Sequence, residues 1–140
     1  MVTTKENQHT TVKSNELRIG NLLTVKYTKQ IKEDFVTEIK GYDIVRIEEN
    51  DFNTLNYEPI PLTEEWLLKF GFNCDLAKTY TKQIEKNTFE LRFDKLDKII
   101  VLDVNINYED TYLEFKHIKY IHQIQNLYFA LTNEELTFKQ

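Results

Sequence analysis

The chain has 140 residues, 41% of them hydrophobic and 13% aromatic, enough for one domain with its own core. Its single cysteine excludes an internal disulfide and a multi-cysteine zinc site, and fits a reducing compartment. The net charge of −5 divides evenly, −3 over residues 1–70 (9 basic, 12 acidic) and −2 over residues 71–140 (9 basic, 11 acidic), which argues against both a basic nucleic-acid reader and a polyanion that imitates DNA.

Residues 1–15 are polar and lack periodicity, so they read as a flexible tail ahead of a single globular domain over residues 16–140. They also lack the apolar run of a signal peptide. No later stretch approaches the roughly 20 apolar residues of a membrane span, so the expected location is the cytoplasm. From Leu23 the pattern alternates: Leu23, Val25 and Tyr27 against Thr24 and Lys26, the period of a half-buried strand, with Gly20 and Asn21 turning the chain just before it. Phe35 to Ile39 and Tyr42 to Ile47 are expected to complete an antiparallel meander, with Val45 and Ile47 on one face. In YEPIPLTEEWLLKFGF (57–72), Pro59 and Pro61 impose an extended entry and Thr63 caps a short helix. Glu64 and Glu65 suit its first turn, Trp66, Leu67 and Phe70 form its apolar face, and Gly71 ends it.

Beyond it, Phe89, Leu91 and Phe93 alternate with Glu90 and Arg92, and Lys98 to Ile106 is rich in β-branched residues; a hairpin through Asp94 to Asp97 should join the two runs. Thr111 to His117 is a further strand with Leu113 and Phe115 inward. Ile118, Ile121, Ile124, Tyr128 and Leu131 then recur at helical spacing, predicting a longer helix that packs across the sheet. The reading is an α+β fold: a mostly antiparallel sheet of about six strands, one short central helix and one longer C-terminal helix. Its predicted core also takes in Ile39, Ile100 and Leu102.

The chemistry-bearing residues do not assemble into a motif. His117 and His122 lie five apart across a strand-to-helix junction, which is not the spacing of a helical metal pair, so no metal site is expected, and His122 is read as hydrogen-bonded or exposed. Cys74 follows a helix C-terminus, a poor place for a thiolate. Asp103, Glu109, Asp110 and Glu114 lack a diagnostic spacing and read as solvated surface. Three glycines supply neither a phosphate-cradling loop nor a dinucleotide fingerprint, so no catalytic residue and no cofactor is assigned. The pentapeptide YTKQI occurs at Tyr27 to Ile31 and again at Tyr80 to Ile84, but the flanks do not match, which makes chance identity the reading. Both copies sit among lysines that edge strands commonly carry against aggregation. The alternative is a binding patch for an acidic partner, made of Lys26, Tyr27, Lys29, Lys32, Lys78, Tyr80, Lys82 and Lys86.

NELRIGNLL (15–23), EPIPLTEEWLLKFGF (58–72) and IKYIHQIQNLYFALTNEEL (118–136) resemble small proteins encoded by phages, prophages and mobile elements of Bacteroidetes. The resemblance carries no catalytic residues. It implies a viral or mobile-element setting, in which a small acidic protein serves as a non-enzymatic, protein-binding inhibitor of host defence. An anti-CRISPR protein acting on an RNA-guided nuclease or its guide RNA is one form. The implied partner is then a host protein or ribonucleoprotein such as a CRISPR effector nuclease with guide RNA, with no membrane and with direct binding of free nucleic acid disfavoured. Two rivals stand beside it: a phage structural, assembly or adaptor protein, and a small metal-dependent hydrolase or nuclease using Asp103, Glu109 or Glu114.

Overall fold

The computed structural model describes residues 12–50, 54–96, 99–106 and 112–138, of which 94–96, 99–104 and 106 by backbone alone. The architecture is α+β with antiparallel strand pairing, and the chain divides into two compact units, Met1–Ile60 and Pro61–Gln140. Among the described residues the strands number eight, in sheets of three and five, where the sequence suggested about six in one sheet.

In the first unit the alternation of Leu23 and Val25 does set a strand, β1 (Leu22–Tyr27), with both residues buried. It runs between β2 (Phe35–Glu38) and β3 (Leu55–Pro59), giving the order β2–β1–β3. Gly20, at φ +95, donates to the Ile39 carbonyl while the Ile39 N–H donates to the Asn21 carbonyl. Two residues thus face one across the ladder, a bulge whose first position has the left-handed backbone that glycine adopts without strain. The expected strand over Tyr42 to Ile47 is instead a helix, α1 (Gly41–Glu48). Asp43 sits in its first turn, accepting the Lys40 N–H at 2.7 Å and the Tyr57 hydroxyl, and Ile44 and Ile47, three apart, turn toward the core. Val45, expected inside, is 54% exposed because a helical period puts it on the outer face. Val12, placed in the tail by its polar neighbours, is buried with Leu23, Val25, Ile39, Ile47 and Tyr57, and Ser14–Glu16 form a single 3-10 turn. One apolar side chain with a core to enter outweighs the polarity around it.

The second unit begins as its punctuation predicts. Thr63 Oγ1 accepts the Trp66 N–H at 3.3 Å and caps α2 (Glu64–Lys69). At the other end Gly71, at φ +83, and the bonds from Gly71 N–H to Leu68 and Phe72 N–H to Leu67 close it as a Schellman turn. Leu67 and Phe70 are buried, while Trp66 is half-buried, its ring 5.8 Å from Phe70 and 5.6 Å from Phe138. The sheet follows in the order β4 (Asn73–Cys74), β5 (Thr79–Ile84), β6 (Asn87–Leu96), β7 (Ile99–Ile106), β8 (Leu113–Phe115). Phe89, Leu91 and Phe93 are buried along β6, and the β6–β7 register reaches Leu96↔Ile99, so the strands run further than the expected turn at Asp94 to Asp97 allowed. Leu113, expected inward, is 58% exposed and Phe115 half-buried: β8 is three residues long and pairs with β7 alone, at the sheet's edge. The predicted core side chains Ile100 and Leu102 lie outside those described.

Helix α3 (Ile121–Thr132) starts where Gln123 Oε1 accepts the N–H groups of Lys119 and Tyr120 at 2.8 and 3.0 Å, and ends at Asn133, at φ 59. Its buried residues Ile121, Ile124 and Tyr128 follow the predicted spacing, although Leu131 is 42% exposed. Tyr128 meets Phe89 edge-on at 5.0 Å and Phe72 at 6.5 Å, which seats α3 across the five-stranded sheet. Among the described residues no helix is long and apolar enough to cross a membrane.

Candidate binding surface

The turn joining β1 to β2 concentrates the exposed chemistry of the first unit. Val25 pairs with Phe35, so Tyr27 and Phe35 are diagonal neighbours at the end of the sheet, their rings 6.1 Å apart. Lys32 lies over the Tyr27 ring, its Nζ 4.9 Å from the centroid. Between them the Lys32 N–H closes back on the Gln30 carbonyl at 3.0 Å, a three-residue turn that projects Ile31 outward at 108% exposure. Phe35 and Val36 are exposed as well. Tyr27, Ile31 and Phe35 thus form an apolar tip at the end of the sheet, next to the polar residues Thr28, Lys29, Gln30, Lys32, Glu33 and Asp34 of the turn.

Its charge is uneven. Lys26 bonds Glu58 at 2.9 Å and lies 3.7 Å from Asp34, and the Glu58 carboxylate raises its pKa, against the opposing effect of desolvation. Among the described residues Lys29 and Lys32 have no carboxylate partner, so the turn keeps two ammonium groups without a counter-charge there, that of Lys32 resting over the Tyr27 ring.

The second group of candidates is placed differently. Tyr80 is 1% exposed, and burial, with Cys74 and Glu64 behind it, drives its phenol pKa upward; it is a core residue and not a stacking platform. Lys82 donates its ammonium to the Phe70 carbonyl at 2.9 Å, and Lys78 lies 4.0 Å from Glu64. Lys86 is exposed in the two-residue turn between Ile84 and Asn87.

Other polar groups are engaged locally. The Tyr112 hydroxyl donates to Glu90, which raises its pKa, and the Arg92 guanidinium stacks 4.0 Å over the Tyr112 ring. His117 is exposed beside Phe115, whereas His122, expected hydrogen-bonded or exposed, is buried and stacked on Tyr120. Cys74 is exposed, its thiol donating to the Asp75 carbonyl at 3.3 Å. Glu114 pairs with Lys116 at 3.7 Å, and the Asp103 side chain, Glu109 and Asp110 lie outside those described. An open cleft of about 390 Å³ lies between the 3-10 turn and the end of α1, lined by Val12, Ser14, Ile47, Glu48 and their neighbours, with Ser14 bonded to Glu48 across it.

Sequence reasoning found Lys29, Lys32 and Tyr27 but missed Ile31, Phe35 and Val36. A signal existed for one of them: Ile31 is the lone aliphatic residue in TKQIKED, where no periodicity gives it a buried face. Compared with known proteins, the chain matches no family model, no curated protein and no solved structure.

Proposed function

We propose that this protein acts by binding, without catalysis, and that the turn 28–34 with the adjoining β2 is its contact surface. The observation that carries the reading is the tip itself: an isoleucine held fully in solvent by a tight turn, flanked by an exposed phenylalanine, a half-buried tyrosine and two lysines without carboxylate partners among the described residues. Exposed aromatic and aliphatic groups ringed by charge are the composition of an interface centre and its rim. The resemblance to proteins of phages and mobile elements supplies the setting: an inhibitor of host defence in the bacterial cytoplasm, of the anti-CRISPR kind, whose target is an RNA-guided nuclease or its guide-RNA complex.

The test is co-expression of the intact chain with the defence systems of a Bacteroidetes host, reading phage plating and co-purifying proteins. Protection and a retained nuclease are expected, and both should be lost with Ile31→Asp combined with Lys32→Glu, at an unchanged melting temperature. A host left unprotected, with no nuclease retained, would overturn the defence reading.

A further inference from the structure

The two outer edges of the three-stranded sheet differ in their fitness to accept another strand. The exchange of bonds between Ile39 and the Gly20–Asn21 bulge fixes the alternation along β2. Thr37 and Phe35, opposite Leu23 and Val25, turn their backbone groups toward β1, so the N–H and C=O groups of Val36 and Glu38 face the edge that no strand among the described residues pairs with. On the far side of the sheet β3 ends at Pro59, which has no N–H to offer, and pairs there with Leu23. β2 has no proline, and Phe35 and Val36 are exposed on it. Resting on the binding reading above, we infer that the partner contributes an extended peptide strand that adds antiparallel to β2, its apolar residues beside Phe35 and Val36 and its acidic C-terminal end over Lys29 and Lys32.

The charge pattern selects this occupant over a nucleic acid. Asp34 is paired with Lys26 and Glu38 with Lys40 at 3.1 Å at the two ends of β2, and Phe35, Val36 and Thr37 between them carry no charge. The cations without carboxylate partners among the described residues are confined to the turn at one end, and Glu33 stands beside them. A polyanion running the length of β2 would meet Glu33, Asp34 and Glu38 in succession, whereas a strand with carboxylates only at one end meets two lysines against the single carboxylate of Glu33 there and places uncharged residues beside Asp34 and Glu38. Backbone bonding supplies the affinity and the lysines set direction.

The test uses the intact chain and a fluorescent decapeptide of alternating valine and threonine ending in two glutamates. Three controls match it in length: one ending in two lysines, one with alternate backbone nitrogens methylated, and an oligothymidine. Measurable binding of the glutamate peptide is expected by anisotropy. It should weaken about tenfold or more with the methylated peptide, with the lysine-ended peptide, and with Lys29→Glu/Lys32→Glu. The peptide modification leaves the protein untouched, so misfolding cannot produce that loss. Equal binding of the methylated peptide would overturn strand addition while leaving the contact surface standing. Equal binding of the lysine-ended peptide would overturn the charge assignment. Tighter binding of the oligothymidine would overturn the peptide in favour of a single-stranded nucleic acid, and no binding of the glutamate peptide would overturn the inference outright.

Discussion

The same five residues, YTKQI, end up in opposite environments in the two units. In the first, Tyr27 closes β1 half-exposed and Ile31 stands fully in solvent; in the second, Tyr80 and Ile84 are both buried in β5 at 1% and 8% exposure. The difference lies in the strand pairing available beyond each tyrosine. β5 continues through all five residues because β6 pairs with every one of them, from Tyr80↔Leu91 to Ile84↔Asn87. β1 loses its pairing with β2 at Val25↔Phe35, and its registered pairing with β3 ends on the tyrosine itself at Tyr27↔Leu55, after which the chain turns. Local sequence left both outcomes open, and the length of the partner strand decided between them.

The sharpest way to break this contrast is truncation. Tyr80→Ala should cost about 3–5 kcal/mol and Ile84→Ala about 2 kcal/mol or more, since each leaves a cavity among buried neighbours. Ile31→Ala should move stability by about 0.5 kcal/mol or less, in line with an exposed position, and Tyr27→Ala, at a half-buried ring, by less than Tyr80→Ala. Urea unfolding of the four variants checks this, and a loss at Ile31 matching that at Ile84 would show that the two copies are equivalent after all.

That contrast also explains what could be read in advance. β1, β6, α2 and α3 announced themselves because each carries its own periodicity or caps: Phe89, Leu91 and Phe93 in alternation, Thr63 and Gly71 as punctuation, Ile121, Ile124 and Tyr128 at helical spacing. β5 did not, because Lys82 stands between Tyr80 and Ile84 on the buried face and hides the alternation. Its stem lies along that face while the ammonium reaches the Phe70 carbonyl. α1 was hidden by Tyr42, Ile44, Val45 and Ile47, which favour strands; its helix depends on Asp43, whose carboxylate serves the Lys40 N–H and Tyr57, a residue fourteen positions away. Of the contact surface, the lysines and Tyr27 were legible as composition. Its apolar half was not, because exposure of Phe35 and Val36 follows from β2 lying at the edge, which pairing determines.

The next effect in size concerns Asp43 and Tyr57, which hold α1 against the first sheet. Asp43→Ala removes the acceptor of two donors and should cost about 1–3 kcal/mol. Burial first, and then the Asp43 bond and charge, push the Tyr57 phenol from 10.0 up to about 12. The folded protein keeps this proton where the unfolded chain gives it up. The contribution is therefore complete below about pH 10 and lost as the pH rises toward about 12. Tyr57→Phe should flatten that alkaline loss in the first unit and leave the loss from Tyr128, raised to about 12 chiefly by burial in the second. Urea midpoints measured across that range decide it; an unchanged alkaline slope in Tyr57→Phe would mean that neither burial nor Asp43 raises this phenol in the folded protein.

The smallest effect separates the lysines of the two copies. Lys82 caps the carbonyl end of α2 and lies 3.2 Å from where a side chain on Gly71 would begin, so its ammonium serves the fold. Lys29 occupies the corresponding third position of the first copy, with no carboxylate partner among the described residues. Lys82→Met keeps the stem and removes the charge; it should cost about 1 kcal/mol in urea unfolding and leave partner binding unchanged. Lys29→Met should do the reverse, with stability held and binding of an acidic peptide weakened, more so at low salt than at high. A binding loss at Lys82 equal to that at Lys29 would mean that the second copy faces the partner too. Tyr80 argues against that, because a buried ring fixes the strand with Lys82 directed toward α2.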